Sequence, residues 1–243
     1  MRIAVAGATG LVGRQVNEAA SQRGHEIVPL ARSLGVDLTA ATDLDEVLTG
    51  VEAVIDVTQS PTMDAVEATS FFTTVASNLG AAAHAAGVQR TIVLSIIGVD
   101  AIPDFGYYVA KLAQENAVRA HAPGTRVLRA AQFMEFPEQM LGWYRDGNAV
   151  TLPVMPTQPV AIHEIADLLV SMADGTDPRH NLELAGPKAE TLEDLVRQVA
   201  AHRGEEVSVT SAAYSETMAN GACLPGAGAI LAGPDFATWL STH

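Results

Sequence analysis

The sequence has a single cysteine, Cys223, so no disulfide can form within the chain. Basic residues are scarce as well: 14 Lys and Arg stand against 28 Asp and Glu, a formal net charge of −14. Clustered cations for a phosphate backbone are therefore missing, which excludes a nucleic-acid partner. No apolar run is long enough to span a bilayer, so no membrane partner is expected. No sorting signal precedes the first strand, and a cytoplasmic protein is expected. The seven histidines show no metal-ligand spacing, and no metal is expected. A Ser-centred nucleophile elbow and a Gly-Lys-Ser phosphate loop are also absent. Charged residues make up only 17% of the chain against 48% hydrophobic. That balance calls for a large core and excludes general disorder. A length of 243 residues fits one domain, or one domain with a small appended lobe.

What the sequence does have is concentrated at its start. Ile3 to Ala6 is a short apolar strand with the near-continuous apolar character of a buried parallel strand. It runs straight into Gly7-x-x-Gly10-x-x-Gly13, where glycine lets the backbone turn and approach a ligand without a Cβ. Leu11, Val12, Val16, Ala19 and Ala20 then recur at helical spacing. Strand, glycine loop and helix in this order form a dinucleotide site, with the helix N-terminus facing a pyrophosphate.

The same alternation continues to Ala130. Strands are expected at His25 to Ala31, Ala53 to Val57, Thr91 to Ile97 and Arg126 to Ala130. Helices are expected at Leu11 to Arg23, Asp43 to Leu48, Ala65 to Ala86 and Tyr107 to His121. This predicts an α/β fold with a doubly wound parallel sheet. Five prolines between Pro137 and Pro178 then break the rhythm. A helix is expected at His163 to Met172, then a strand–helix–strand at Leu182 to Leu184, Leu192 to Ala201 and Val207 to Val209. A Gly221 to Pro234 loop leads to a last short helix around Trp239. The division expected is a nucleotide-binding core over 1–131 and a small substrate-covering lobe over 132–243, within one continuous unit.

Three constellations carry chemistry. The second strand ends Leu30-Ala31-Arg32-Ser33, with a cation where an NAD site places an acid for the ribose 2′-hydroxyl. A guanidinium binds a 2′-phosphate by paired, charge-assisted bonds, so NADP(H) is preferred over NAD(H). Asp37 is either an adenine contact or a solvated loop acid. Ser95 sits late in its strand, Tyr107 follows twelve residues on, and Lys111 lies one helical turn further. A nearby ammonium is expected to lower the tyrosine pKa, so that Tyr107 acts as general acid beside a hydride donor while Ser95 holds the carbonyl oxygen. Tyr108 points about 100° away around the helix. Phe133, Met134 and Phe136, with Met140, Trp143, Tyr144 and Met155 nearby, predict an apolar substrate pocket or the packing of a helix.

These blocks resemble the short-chain dehydrogenase/reductase superfamily and its atypical NmrA-like branch. The resemblance rests on Gly-Ala-Thr-Gly-Leu-Val-Gly-Arg (7–14), residues 85–100, Tyr-Tyr-Val-Ala-Lys-Leu-Ala-Gln-Glu (107–115) and Leu-Arg-Ala-Ala-Gln-Phe-Met-Glu-Phe (128–136). It implies a Rossmann-like fold, with Gly7, Gly10 and Gly13 at the pyrophosphate and Arg32 at the 2′-phosphate. Lys111 is then at the nicotinamide ribose, and Ser95 and Tyr107 at the substrate carbonyl. Thr9, Leu11, Val12, Ser33 and Thr58 complete the expected cofactor contacts, and Asn78 is a candidate fourth catalytic residue. The expected activity is NADPH-dependent reduction of a small apolar carbonyl or quinone-like compound. The alternative is a noncatalytic NADP(H)-binding redox sensor, while a nucleotide-sugar epimerase needs a larger polar lobe. A second copy of the chain, forming a homodimer, is the one protein partner considered.

Overall fold

The computed structural model describes residues 1–40 and 43–243. In chain order its elements are β1 (Arg2–Ala6), α1 (Leu11–Gln22), β2 (Glu26–Leu30), α2 (Leu44–Val47), β3 (Ala53–Asp56), α3 (Ala65–Ala85), β4 (Arg90–Ile96), α4 (Gly106–His121) and β5 (Thr125–Ala130). Then follow α5 (Phe136–Trp143), β6 (Arg145–Asp146), β7 (Ala149–Pro153), β8 (Pro156–Thr157), α6 (Ile162–Asp174), β9 (Asn181–Ala185), β10 (Glu190–Thr191), α7 (Leu192–His202), β11 (Ser208–Ala212), β12 (Ile230–Leu231) and α8 (Phe236–Leu240).

Two compact units share this chain. The first holds residues 1–95, 106–129 and 163–182, the second 96–105, 130–162 and 183–243. The chain passes from the first unit to the second at 129–130, and all of α6 but Ile162 belongs to the first unit. Arginines hold it there. Arg90 donates to Ala173 O at 2.9 Å, and Arg126 to Met172 O at 2.8 Å and Asp177 O at 2.7 Å. Arg23 pairs with Asp167 at 3.0 Å. Cations at the C-terminal end of α6 also complement its dipole.

The parallel strands run β2-β1-β3-β4-β5-β9, and β12 adds to the end of β9, making a seven-stranded sheet whose strands β1 to β3, and β4 but for Ile96, belong to the first unit. The Rossmann-like α/β class expected from the alternation is the one found. Ile3 to Ala6 pair with Ile27 to Leu30 on one side and with Ala53 to Asp56 on the other. The strand order reverses at β1, which makes the crevice beyond β1 and β3 the topological switch point. Ala4, Ala6, Leu30, Val54, Val75 and Leu79 are fully or almost fully buried in one core cluster. Each large aliphatic side chain buried there contributes about 2 kcal/mol. Asp64 caps α3, accepting from Val66 N at 3.0 Å and Glu67 N at 2.9 Å. Gly87, at φ 72°, ends that helix with the left-handed turn its sequence suggests.

The second unit holds what the proline count concealed. Pro137 does not break α5 but stands in its first turn, where a missing N–H costs nothing. β7 pairs antiparallel with β6 and parallel with β11. The expected Gly221 to Pro234 loop begins inside a π-helical turn at Met218–Ala222 and carries the short β12.

Candidate functional site

The glycine loop closes tightly on the end of the sheet. Gly7 adopts φ 84° and donates to Leu30 O at 2.9 Å. A Cβ on it would meet Val57 O at 2.8 Å, so the loops after β1 and β3 touch at the switch point. Gly13 is tighter still, for its Cβ would fall 2.1 Å from Gly7 O. Gly10 is extended and opens α1 with no side-chain cap, leaving first-turn amides for an anion. Asn17, which the sequence reading passed over, donates to Ala8 O at 3.0 Å and pins the loop. Leu11 is exposed and Val12 buried, so from this turn the backbone and Leu11 face outward.

At the end of β2 the structure brings Thr9 and Ser33 together, with Ser33 Oγ donating to Thr9 Oγ1 at 3.2 Å. Arg32 beside them is exposed. Asp37 accepts from Thr39 Oγ1 at 2.7 Å and Thr39 N at 2.9 Å. Those bonds, with the Arg32 charge adding to them, hold its carboxyl below the usual range. Asp37 thus shapes its own loop. Asn78 Nδ2 donates to Leu38 O and Thr39 O, both at 3.1 Å, tying that loop to α3.

On α4, Tyr107 and Lys111 are both buried and both rest on Phe72. The Tyr107 ring meets it edge-on at 5.9 Å, and the Lys111 ammonium lies 4.8 Å from its centroid. Lys111 Nζ donates to Leu94 O at 2.8 Å and to Gln114 Oε1. Gln114 Nε2 in turn donates to Asp56 Oδ2 at 2.8 Å, while Asp56 Oδ1 accepts from Thr58 N at 3.0 Å and Thr58 Oγ1 at 2.7 Å. Thr58 is therefore part of a buried network. The lysine does not lower the tyrosine pKa as the spacing suggested. Burial pushes the Tyr107 phenol up to about 12, against a hydrogen bond with Gln59. Burial also pushes Lys111 down to about 8, against the charges of Asp56 and Glu115.

Ser95 is buried beside Glu115, one turn beyond Lys111. Its hydroxyl makes no hydrogen bond of ordinary geometry among the described residues, yet it helps stabilise the Glu115 charge. Burial pushes the Glu115 carboxyl up, but bonds from Arg129 and Ser95, and the Arg129 charge, bring it below the usual range. Arg129 holds it at 2.9 and 3.0 Å and Arg119 at 3.0 Å. Asp56, Gln114 and Glu115 escaped the sequence reading. An acid closing the apolar run Ala53-Val54-Ile55 and two polar residues within four of Lys111 were the available signals.

These two shifts predict an alkaline stability maximum. Lys111 keeps its proton to about pH 10.5 unfolded but only to about 8 folded. Between those values the unfolded chain binds more protons, so raising the pH stabilises the fold by about 3 kcal/mol. Tyr107 acts in reverse, ionising near 10 unfolded and about 12 folded, and so removes a similar amount across that window. Urea unfolding should show the peak near pH 10. Lys111→Met should flatten its rising side; a rise that persists in this variant would mean another group causes it.

In the second unit Met134 is completely buried, while Phe133 and Phe136 are half-buried. Phe133 bridges Val160, and Met134 N donates to Val160 O at 3.1 Å. Met140 and Met155 are core residues, whereas Trp143 is 63% exposed and so does not pack α5.

A parallel sheet with a glycine cradle and an uncapped helix at its switch point defines a dinucleotide-binding α/β protein. The chain belongs to the NAD(P)H-binding family, whose sequence model matches residues 7–174. Among solved structures it is similar to MoeE5 in complex with UDP-glucose and NAD (18% identity, 100% of this chain and 97% of that chain, TM-score 0.78). It is also similar to the UDP-N-acetylglucosamine 4-epimerase of Bacillus cereus (18%, 100% and 94%, TM-score 0.77). A third likeness is the Bacillus anthracis dTDP-4-dehydrorhamnose reductase in complex with NADP (14%, 99% and 97%, TM-score 0.74). No curated protein matches the sequence significantly. Among the described residues no cluster suited to a metal ion occurs, and no helix is long and apolar enough to cross a membrane.

Proposed function

We propose that the chain is an NADP(H)-dependent reductase of the NmrA-like kind, acting on a small apolar carbonyl or quinone-like substrate from a cytoplasmic location. The observation that carries this reading is the cradle at Gly7 and Gly13 under an uncapped α1, with Arg32 at the end of β2. A Cβ at either glycine would collide with backbone of the loops after β1 and β3, so the glycines let the loop and α1 pack closely enough to present the α1 amides to a dinucleotide pyrophosphate. Thr9, Gly10, Leu11 and Val12 would line it, and Arg32 with Ser33 would meet a 2′-phosphate.

Bound nicotinamide supplies the hydride. The chain supplies the proton and the orientation. A phenol that stays protonated up to about pH 12 is a donor to a developing alkoxide, not a base, which favours the reductive direction. Lys111 would hold the ribose, Ser95 would donate to the carbonyl oxygen, and Phe133, Met134 and Phe136 would shape an apolar pocket.

The second reading is a noncatalytic NADP(H) sensor. It is favoured by the inward commitment of Lys111 to Leu94 O and Gln114, and of Ser95 to the neighbourhood of Glu115. Calorimetric titration with NADPH and NADH, then NADPH consumption over a panel of quinones, aldehydes and ketones, separates the two. Tight binding with turnover establishes the reductase; tight binding without turnover establishes the sensor. Arg32→Ala should weaken NADPH roughly 10- to 100-fold, the scale of hydrogen bonds to a charged group, and leave NADH within about twofold. Equal losses for both would end the case for NADP(H).

A further inference from the structure

Lysine is rare in this chain. Of 14 basic residues only Lys111 and Lys188 are lysines; the rest are arginines. Lys188 is exposed, while Lys111 is buried within the first unit. Arginine is the usual residue for a buried ion pair, because its guanidinium stays charged and is weakly hydrated. A buried ammonium is chosen where a compact charge must be held at one point, and its surroundings then decide its proton affinity.

Those surroundings are ordered by one amide. The Asp56 carboxylate, already accepting twice from Thr58, can only accept, so Gln114 must present Nε2 to it. The Gln114 Oε1 is then forced toward Lys111 Nζ, which can only donate. Each group thus fixes the next: acid, amide, ammonium, and finally the Leu94 carbonyl at 2.8 Å. Among the described residues two carboxylates act on Lys111. Asp56 faces it from β3 and Glu115 from its own helix; Glu115 is already neutralised by Arg119 and Arg129. Tyr107 lies one turn earlier, and from α3 the Phe72 ring lies 4.8 Å from the ammonium.

We propose that Gln114 is a positioning residue that links Asp56 to Lys111, fixing the ammonium in place and keeping it a cation for cofactor binding. The second half rests on the reading of Lys111 as a cofactor contact. Loss of the link leaves the ammonium buried with one acceptor fewer, so it gives up its proton more easily.

The test uses the full chain labelled with 13Cε-lysine, in which the two lysines give two resonances and exposed Lys188 serves as reference. Gln114→Met keeps the side-chain length and removes both bonds; Asp56→Asn removes the charge that orients the amide. In both variants Lys111 should titrate at least one pH unit lower than in wild type, with Lys188 unmoved. NADPH affinity, read by fluorescence, should fall roughly tenfold around pH 8 and much less at pH 6, where the lysine still holds its proton. An unmoved Lys111 resonance in folded Gln114→Met overturns the proposal; if that variant does not fold, Gln114→Leu decides in its place, because Asp56→Asn also removes a charge that acts on Lys111 directly. A shifted resonance with unchanged NADPH affinity at both pH values keeps Gln114 as the positioning residue. It removes Lys111 from the cofactor instead.

Discussion

Gly13→Ala should abolish measurable NADPH binding and lower the melting temperature, whereas Gly10→Ala should do little of either. The three loop glycines look equivalent in sequence but are not in space. A Cβ at Gly13 would lie 2.1 Å from Gly7 O and 2.8 Å from Ala8 Cα, both backbone atoms that cannot rotate away. At Gly10 the nearest atom is 3.2 Å distant, and the backbone has φ −73°, open to any residue. The first methyl must push α1 off the loop that holds its N-terminus. Overpacking of this kind costs about 1–3 kcal/mol, and a displaced helix end no longer offers its amides to an anion. Thermal melts and NADPH titration of both variants read the contrast directly. Wild-type affinity in Gly13→Ala would show that the pyrophosphate is held elsewhere.

Tyr107→Phe should reduce turnover by roughly 10²- to 10⁴-fold, the contribution of a positioned acid, while NADPH affinity stays within about twofold. The ring keeps its edge contact with Phe72, so only the hydroxyl and its bond to Gln59 are lost. With the phenol protonated up to about pH 12, wild-type activity should show no tyrosine ionisation through neutral and mildly alkaline pH. Any fall near pH 8 belongs to Lys111. Tyr108→Phe is the control and should leave turnover intact. Full activity in Tyr107→Phe would transfer the acid role to another group and leave the cofactor site standing.

The alternation of strand and helix was legible because β1, β3 and β4 are buried on both faces and the helices between them on one, and burial writes its period into the sequence. Element ends shifted by a residue or two. The second unit was harder: Pro137 reads as a breaker until its place in the first turn of α5 is seen. Spacing put Tyr107 and Lys111 on one helix side, and both do rest on Phe72. Spacing said nothing of Asp56, 58 residues from Gln114 in sequence, which decides through that amide where the ammonium points. The expected direction of the tyrosine shift was reversed for a different reason, the burial of the phenol itself. Asn78 shows the same limit, since the carbonyls it serves lie about forty residues away.

The arginine clasp on α6 has a bearing on the order in which this protein comes into being. The carbonyls that Arg90 and Arg126 seek, and the carboxylate that Arg23 seeks, belong to residues 167–177. The match to the NAD(P)H-binding family ends at 174, the last residue of that helix. As the chain leaves the ribosome, the glycine loop emerges well before α6, so its sheet cannot be clasped until the whole 130–162 stretch of the other unit has followed. A fragment cut at the end of β5 would carry every cofactor residue named above and still lack the helix that three of its arginines are built to grip.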